Sequence, residues 1–297
     1  TRVTMNRTPT SHTKQRRTQT SFKSKALHQI KAYETQIQHL QEASRSKDEF
    51  IRITNHELRT PLDVIRGNLD MILKGESGAI PDRTREYLED VLAGADRLAR
   101  LVNDMLDISR IKTGRISFIL EDIDIGALLG KIENEYASAA QKKHVTLKLI
   151  HPRPSSLFVF SDSARIIQII VNLIGNALKF TPAGGTITIS AQEDDDMVKV
   201  TVKDTGIGIR PEDQKKLFKQ FPEIDLGTYD PGIKGTGLGL FLIHQLVSQL
   251  GGTIGMESLG QNKGSSFFFR LPMPKSAHAE ALIISHTPPQ QKNNIYP

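Results

Sequence analysis

Two stretches of the chain repeat their apolar residues at alternating intervals of three and four, with a short turn between them. The first stripe consists of Leu58, Leu62, Ile65, Leu69 and Ile72, and the second of Leu88, Val91, Ala95, Leu98, Val102 and Met105. Such spacing is typical of helices that pack along a seam. Gly75, Gly78 and Pro81 predict the turn between the stripes. The sequence therefore predicts a helical hairpin with one long apolar face.

This apolar face needs a partner, because two helices cannot cover the seam that they share. Pairing with a second copy of the chain closes a four-helix bundle. The alternative is a monomer in which the stripe packs against the C-terminal part of the same chain. We favour the homodimer, with the second helix running from about Asp82 to Lys112.

His56 lies just before the first stripe, in the same helical pattern. At ~100° per residue the stripe falls within roughly 40° of Leu58, whereas His56 lies about 160° away and faces water. A lone histidine is more often packed in a core, or idle on a surface, than reactive. Here Glu57 can orient or deprotonate the imidazole. Thr60 can hold a water near it, and Pro61 predicts a bend in the helix that exposes the ring.

Composition limits the other possibilities. A chain of 297 residues with 38% apolar and 24% charged residues is typical of about two soluble domains. The absence of cysteine excludes disulfides, a thiol nucleophile and cysteine-bound metals. No run approaches the roughly 18 apolar residues that span a bilayer, so we expect a cytoplasmic chain that meets a membrane only through a region outside this sequence.

The first 25 residues carry seven Lys or Arg and no acid. We expect residues 1–24 to be a solvated, disordered tail, and we expect no specific nucleic-acid partner, although contact with a nucleic acid or an anionic membrane is the alternative. A helical lead-in or coiled coil is predicted over 25–45, and the hairpin over 46–112. The pattern then changes to short alternating runs at 116–120, 145–150, 186–190 and 198–202, with helical stretches at 125–142, 163–180 and 238–250. Residues 113–275 therefore predict an α/β sandwich, and 276–297 a tail too short to fold alone.

Two constellations in the predicted sandwich are suited to nucleotide chemistry. Asn172 and Asn176 lie one turn apart on a helix, and an amide oxygen is a ligand that Mg²⁺ accepts. Lys179, three residues farther along the helix, can reach an anion bound beside the two amides. Asp204 follows a strand and can accept hydrogen bonds from an amine, while Gly206 and Gly208 would let the main chain approach a flat ring. The alternative for Asn172 and Asn176 is two amides on a solvated helix face. The alternative for the segment that follows Asp204 is an ordinary turn.

A mobile loop and a glycine cluster follow. Phe218 and Phe221 precede a stretch rich in Gly, Asp and Pro, which is typical of a lid over a pocket. The closely spaced Gly235, Gly237 and Gly239 then lead into a helix, whose N-terminal N–H groups can cradle phosphates. The cluster follows a loop rather than a strand, so a Rossmann site fits poorly.

The string NHELRTPL around His56 resembles the H-box of sensor histidine kinases of two-component systems. The later constellations match, in order, the N-box, G1-box, F-box and G2-box of the ATPase domain of that family, whose fold is shared by gyrase, Hsp90 and MutL ATPases. Asn55 stands where the family usually has serine. Thr228-Tyr229 stand where the lid often has a Thr-Arg pair, and Lys234 would supply the missing charge.

The resemblance implies a role for each matching residue. His56 would be the phospho-acceptor, Glu57 its acid/base, and Glu57 with Thr60 the pair that dephosphorylates the partner regulator. Asn176 would bind Mg²⁺, and Asn172 and Lys179 would approach the phosphates of ATP. Asp204 would bind the adenine amine, supported by Gly206 and Gly208, with Phe180 beside the base. The remaining nucleotide contacts would come from the lid and G2-box residues Lys234, Gly235, Thr236, Gly237, Leu238 and Gly239.

We therefore expect an ATP-dependent protein-histidine kinase that passes its phosphoryl group to an aspartate of a response-regulator receiver domain. Two other classes stay open. One is an ATPase of the gyrase or Hsp90 type that uses ATP only for clamp closure. The other is a non-catalytic dimeric scaffold that acts as a regulator phosphatase.

Overall fold

A computed structural model describes residues 33, 35–38, 43, 53–54, 57–114, 116–150, 157–222, 224 and 237–286. The chain divides into two compact units, Thr1–Glu57 and Leu58–Pro297. The described residues of the first unit are all helical. The predictions for the tail 1–24 and for most of the lead-in 25–45 concern residues outside the described ranges. No helix among the described residues is long and apolar enough to cross a bilayer.

The second unit begins at Leu58, within the hairpin predicted over 46–112. Helix α1 covers residues 58–73, a turn follows over 74–77, and helix α2 runs from Asp82 to Lys112, as the sequence predicts. Leu62 of α1 is buried in one cluster with Ala95 and Val102 of α2. At the rim, Arg66 Nε lies 2.7 Å from a carboxylate oxygen of Asp96. The two helices are therefore antiparallel neighbours.

Alternate members of the two apolar stripes stay exposed in the single chain. Leu62, Leu69, Ala95 and Val102 are buried. The intervening positions, spaced by seven within each helix, are 41–52% exposed, namely Leu58, Ile65, Val91, Leu98 and Met105. The hairpin thus buries two of the five residues of the first stripe and two of the six residues of the second. It leaves an apolar strip exposed, which is not covered by the described C-terminal part of the same chain.

The rest of the unit, from residue 116 onward, is an α/β domain. Its strands are β1 (Glu121–Asp124), β2 (Thr146–Ile150), β3 (Phe158–Ser161), β4 (Thr186–Asp194), β5 (Met197–Asp204), β6 (Thr253–Glu257) and β7 (Ser265–Pro272). Its helices are α3 (Ile125–Lys142), α4 (Ser163–Phe180), α5 (Pro211–Gln214), α6 (Gly239–Gln249) and α7 (Ala277–His286).

Five of the strands form one mixed sheet in the order β2-β4-β5-β7-β6, in which only β2 and β4 are parallel. Strands β1 and β3 form a separate antiparallel pair. Ile189, Val202 and Phe267 are paired across neighbouring strands and are all buried, so one face of the sheet carries the core. Helices α3, α4 and α6 pack on that face. The predicted fold class, a helical hairpin followed by an α/β sandwich, is confirmed in the single chain.

Two side-chain caps explain why α3 and α4 begin where the sequence predicts. Asp124 accepts a hydrogen bond from Ala127 N at 3.1 Å, and Asp162 accepts one from Arg165 N at 3.1 Å. Such N-caps satisfy N–H groups that have no partner within the helix. Helix α4 is the most buried of these helices, and Ile166, Ile169 and Ile170 on its inner face have no exposed surface.

The strand predicted at 116–120 is wrong, because these residues pair with no other strand and β1 begins only at Glu121. Ile116, Phe118 and Leu120 do pack against the core, and the N–H of Ile119 donates to Asp162 Oδ2 at 2.9 Å. The alternation therefore reflects burial of one side of an extended segment rather than membership of a sheet.

The sequence pattern also missed elements. Strands β3, β6 and β7 were not predicted, and β7 has three consecutive phenylalanines that hide its alternation. The segment from residue 276, expected to be a tail, contributes helix α7. It does not fold alone, since Leu282 is buried and lies beside Gly251 at the end of α6.

Candidate nucleotide site

A cavity of about 800 Å³ opens beside α4, the end of β5 and the start of α6, with one face of α2 as a further wall. This volume is within the range of small-molecule sites. The lining includes residues predicted from the sequence and others that were not, among them Arg97, Arg100, Asp104, Asn172, Asn176, Lys179, Phe180, Asp204, Gly208, Gly237 and Gly239.

Asp204 is the last residue of β5 and is only 4% exposed. Its Oδ1 accepts hydrogen bonds from Gly206 N at 2.8 Å and from Ser265 N at 3.3 Å, and its Oδ2 accepts one from the Ser265 hydroxyl. These three donors hold the carboxylate in one orientation at the cavity wall. A carboxylate fixed in this way has lone pairs left to accept a hydrogen bond from a ligand amine.

The glycines after Asp204 are required by close approach of the main chain. A Cβ on Gly206 would lie 2.4 Å from the carbonyl oxygen of Phe180. Gly208 has φ +64°, and a Cβ there would lie 2.0 Å from the carbonyl oxygen of Gly260. Gly206 does not line the cavity, so its part in the site is to orient Asp204, whereas Gly208 forms part of the wall.

Helix α4 presents a polar face to the cavity. Asn176 Nδ2 donates to Asn172 Oδ1 at 3.1 Å, which leaves the amide oxygen of Asn176 outside that bond. Lys179 Nζ lies 4.8 Å from the centre of the Phe180 ring. Burial lowers the pKa of Lys179, and the nearby charges of Arg97 and Lys143 lower it further. The predicted N-box residues thus lie together on one helix face.

The start of α6 approaches α4 closely. Gly237 has φ +70°, and a Cβ on Gly239 would lie 2.5 Å from Asn172 Nδ2. Leu238 has no exposed surface and belongs to the core, so only its main chain can face a ligand. The predicted lid residues Lys234, Gly235 and Thr236 lie outside the described ranges.

The H-box residues are only partly described. His56 lies outside the described ranges. Glu57 and Thr60 are helical and exposed, each in its own unit. The exposure of Thr60 agrees with its predicted place on the outward face of the helix.

The wall formed by α2 is not predicted by the sequence pattern. Arg97, Arg100 and Asp104 are spaced by three and four, so they share one helical face, which differs from the face of the exposed strip. The sequence shows that these three residues share a face of α2, but it does not show which part of the chain packs against that face. Asp104 is half-buried here, and desolvation, followed by the charge of Asp107, raises its pKa to about 6, against a smaller opposing effect of Arg100.

Contacts beyond this wall hold α2 in place. Gln168 Nε2 of α4 donates to Asp107 Oδ2 at 2.8 Å, and Arg165 Nη1 lies 3.4 Å from the same oxygen. Lys112 Nζ donates to Gln220 Oε1 at 3.0 Å. Below these polar contacts, Ile108 and Ile111 are buried in the core of the α/β domain.

Family models match both parts of the chain. Residues 46–114 match the His Kinase A (phospho-acceptor) domain, and residues 161–275 match the family of histidine kinase-, DNA gyrase B- and HSP90-like ATPases. The chain belongs to the sensor histidine kinases. It carries both domains of a protein-histidine kinase, in the order in which the sequence predicts them.

Individual kinases resemble this one over most of its length. The sensor protein GacS of Pseudomonas syringae pv. syringae is 36% identical over 79% of this chain and 26% of its own length. The crystal structure of full-length ShkA in complex with AMPPNP matches 77% of this chain and 46% of that chain at 30% identity and a TM-score of 0.62. The Acinetobacter baumannii kinase AdeS matches 74% of this chain and 98% of that chain at 28% identity and a TM-score of 0.51.

Curated relatives such as GacS are much longer than the part that this chain matches. The chain spans about a quarter to a half of the length of these curated relatives. The ATPase family model identifies the α/β domain of this histidine kinase as an ATP-binding domain. Within that domain, the polar residues Asn172, Asn176 and Asp204 all line the cavity of about 800 Å³.

The half-buried Asp104 predicts a pH dependence of stability in this kinase. Its folded pKa of about 6 exceeds the ~3.9 of an unfolded chain, so the folded state binds the proton more tightly. The contribution of Asp104 to the free energy of unfolding therefore decreases as pH rises from about 4 to about 6. Above that range, ionised Asp104 destabilises the fold.

We expect Asp104→Asn to raise the free energy of unfolding at pH 8 by about 1 kcal/mol. The difference between the folded and unfolded pKa of Asp104 sets an upper limit of about 3 kcal/mol on this gain. Solvent that reaches part of the side chain reduces the gain. At pH 4 the variant and the wild type should be equally stable. Urea unfolding at both pH values measures this, with the exposed Asp82→Asn as the matched control. A variant no more stable than the wild type at pH 8 would contradict the assignment.

Proposed function

We propose that this chain is a protein-histidine kinase that transfers the γ-phosphoryl group of ATP to His56 and then to an aspartate of a separate response regulator. The observation that carries the proposal is the convergence of Asp204 with the polar face of α4 on one cavity, in a chain that also carries the H-box. A site for purine and phosphates and an acceptor histidine are the two parts that this reaction needs.

ATP would bind with its adenine amine toward Asp204, because this carboxylate is buried and held by three donors. Phe180 would lie beside the base. Asn172 and Lys179, farther along the same wall, would contact the phosphates. The lid residues Lys234, Gly235 and Thr236 would complete the site, and the Gly237–Gly239 segment would approach the triphosphate through main-chain N–H groups.

The amide oxygen of Asn176 fits a magnesium ion, since it is a hard ligand that the bond to Asn172 does not occupy. Among the described residues no cluster of three or more His, Asp or Glu could hold a metal without further ligands. In this site Mg²⁺ would take most of its other ligands from phosphate and water. When bound, Mg²⁺ would offset negative charge on the phosphates.

In the transfer step a ring nitrogen of His56 attacks the γ-phosphorus in line with the leaving oxygen. The bond from the γ-phosphorus to the oxygen of the β-phosphate breaks, and ADP leaves with that electron pair. A phosphorus–nitrogen bond forms, and Glu57 takes or orients the ring proton. In the second step the phosphorus–nitrogen bond breaks, and the carboxylate of the regulator accepts the phosphoryl group.

Incubation with ATP labelled at the γ-phosphorus should label the chain, and the label should be lost in acid and kept in base. His56→Gln should abolish it. Asn176→Asp should reduce it by about two orders of magnitude, because a carboxylate replaces the amide that would face the metal and the phosphates. Asn68→Asp, on the exposed face of α1, is the matched control and should label normally.

Label that survives His56→Gln would refute the acceptor. Sustained ATP hydrolysis without any phosphoprotein would favour the clamp-type ATPase instead. Mixing His56→Gln with Asn176→Asp subunits would restore label only if each subunit phosphorylates its partner.

The exposed Glu57 and Thr60 support a second activity, hydrolysis of the phosphoryl group on the regulator, in which Thr60 would hold the attacking water. Thr60→Ala should leave phosphorylation of His56 intact and slow loss of label from the regulator, by about tenfold or more. Thr84→Ala, which is exposed at the start of α2, should leave both rates unchanged. Equal dephosphorylation by the Thr60 and Thr84 variants would exclude this role.

We also propose that two copies pair through the strip of Leu58, Ile65, Val91, Leu98 and Met105, since large exposed apolar strips are unusual on monomers. Leu98→Asp should convert the dimer to a monomer in analytical ultracentrifugation, because each subunit would bury a charge in the bundle. Ile119→Asp, at a residue that is 78% exposed outside the hairpin, should remain dimeric. A Leu98→Asp protein that stays dimeric would show that the copies pair elsewhere.

A further inference from the structure

Positive charge converges on the nucleotide cavity from two different parts of the molecule. Lys179 belongs to α4, within the ATPase domain, whereas Arg97 and Arg100 belong to α2, the second helix of the phosphoacceptor hairpin. All three line the same cavity. Asp104 is the acid that α2 contributes, so α2 adds a net positive charge to the wall.

These cations are close enough to affect one another. The charge of Arg97 helps to lower the pKa of Lys179, so the two groups repel each other across the cavity wall. Arg100 acts instead on Asp104, where its charge opposes the rise in the pKa of that carboxyl. A cluster of like charges in a partly desolvated site is unfavourable by itself, and an anion between them removes the repulsion. The anion that this cavity takes in the proposed function is a polyphosphate.

The position of Arg97 and Arg100 is set by the packing of the end of α2 against the ATPase domain. Ile108 and Ile111 fix the end of α2 in the core of the ATPase domain, and Asp107 bonds to Gln168 of α4. Arg97 lies about three turns before Ile108 on the same uninterrupted helix. The helix therefore carries its guanidinium groups to the cavity as a rigid rod.

We propose that Arg97 and Arg100 bind the terminal phosphates of the nucleotide, so that the phosphoacceptor hairpin completes the ATP site of the ATPase domain. The inference rests on the proposed function, in which this cavity binds ATP. A guanidinium group presents paired N–H donors that match phosphate oxygens. Bound ATP then holds α2 and the ATPase domain together, and loss of the γ-phosphoryl group weakens that link.

The test compares the affinities of the full chain for Mg²⁺-ATP, Mg²⁺-ADP and AMP by isothermal titration calorimetry. Arg97→Gln/Arg100→Gln keeps polar side chains and a similar helix propensity but removes the two charges. We expect its ATP affinity to fall by about tenfold or more, its ADP affinity to fall less, and its AMP affinity to stay within about twofold. Arg97→Lys/Arg100→Lys should recover part of the ATP affinity. Arg110→Gln, exposed near the end of α2, should match the wild type.

An unchanged ATP affinity in the glutamine variant would overturn the proposal. So would an equal loss for ATP and AMP, since that pattern reports a distorted cavity rather than lost phosphate contacts. Asp204→Asn separates this inference from the proposed function. If Asp204→Asn binds ATP as the wild type does, or if the wild type binds no adenine nucleotide, the assignment of the cavity itself fails. Loss of binding in Asp204→Asn with normal binding in the glutamine variant refutes only the role of the arginines.

Discussion

The packing of the end of α2 into the α/β core is the interaction on which the site depends. Ile108 and Ile111 are buried there, and Asp107 adds a bond to Gln168. Burial of two isoleucine side chains stabilises this contact by several kcal/mol, at about 1.5–3 kcal/mol each. The helix is continuous, and its earlier turns supply part of the wall of the nucleotide cavity. One helix thus belongs at its start to the phosphoacceptor hairpin and at its end to the ATPase domain.

A second constraint sets the other end of the cavity. Asp204 is buried at the end of β5, where two main-chain N–H groups and one hydroxyl hold its carboxylate. The glycine at 206 is needed because any side chain would collide with the carbonyl of Phe180. The purine and phosphate ends of the proposed ATP site are therefore built differently. The first is a rigid hydrogen-bonded acid, and the second is a collection of cations and amides from two helices.

The sequence predicted the bounds of α2, α3 and α4 because each has a complete apolar period and a clear start or stop. It also predicted that Asn172, Asn176 and Lys179 would share a helix face, since local periodicity decides this. It failed where burial rather than pairing produced alternation, at residues 116–120, and where consecutive phenylalanines concealed β7. Arg97 and Arg100 could not be assigned, because their chemistry depends on which domain packs against α2, and that packing is not written in local spacing.

In the proposed reaction, ATP bound in this cavity phosphorylates His56. The most direct measurement is peptide mapping by mass spectrometry, at neutral to basic pH, of the chain incubated with ATP whose three non-bridging γ-oxygens are oxygen-18. We expect one phosphoryl group, on the imidazole of His56, carrying all three heavy oxygens. A phosphoryl group on Thr60 or any other side chain, or a chain that hydrolyses ATP and stays unmodified, would contradict it.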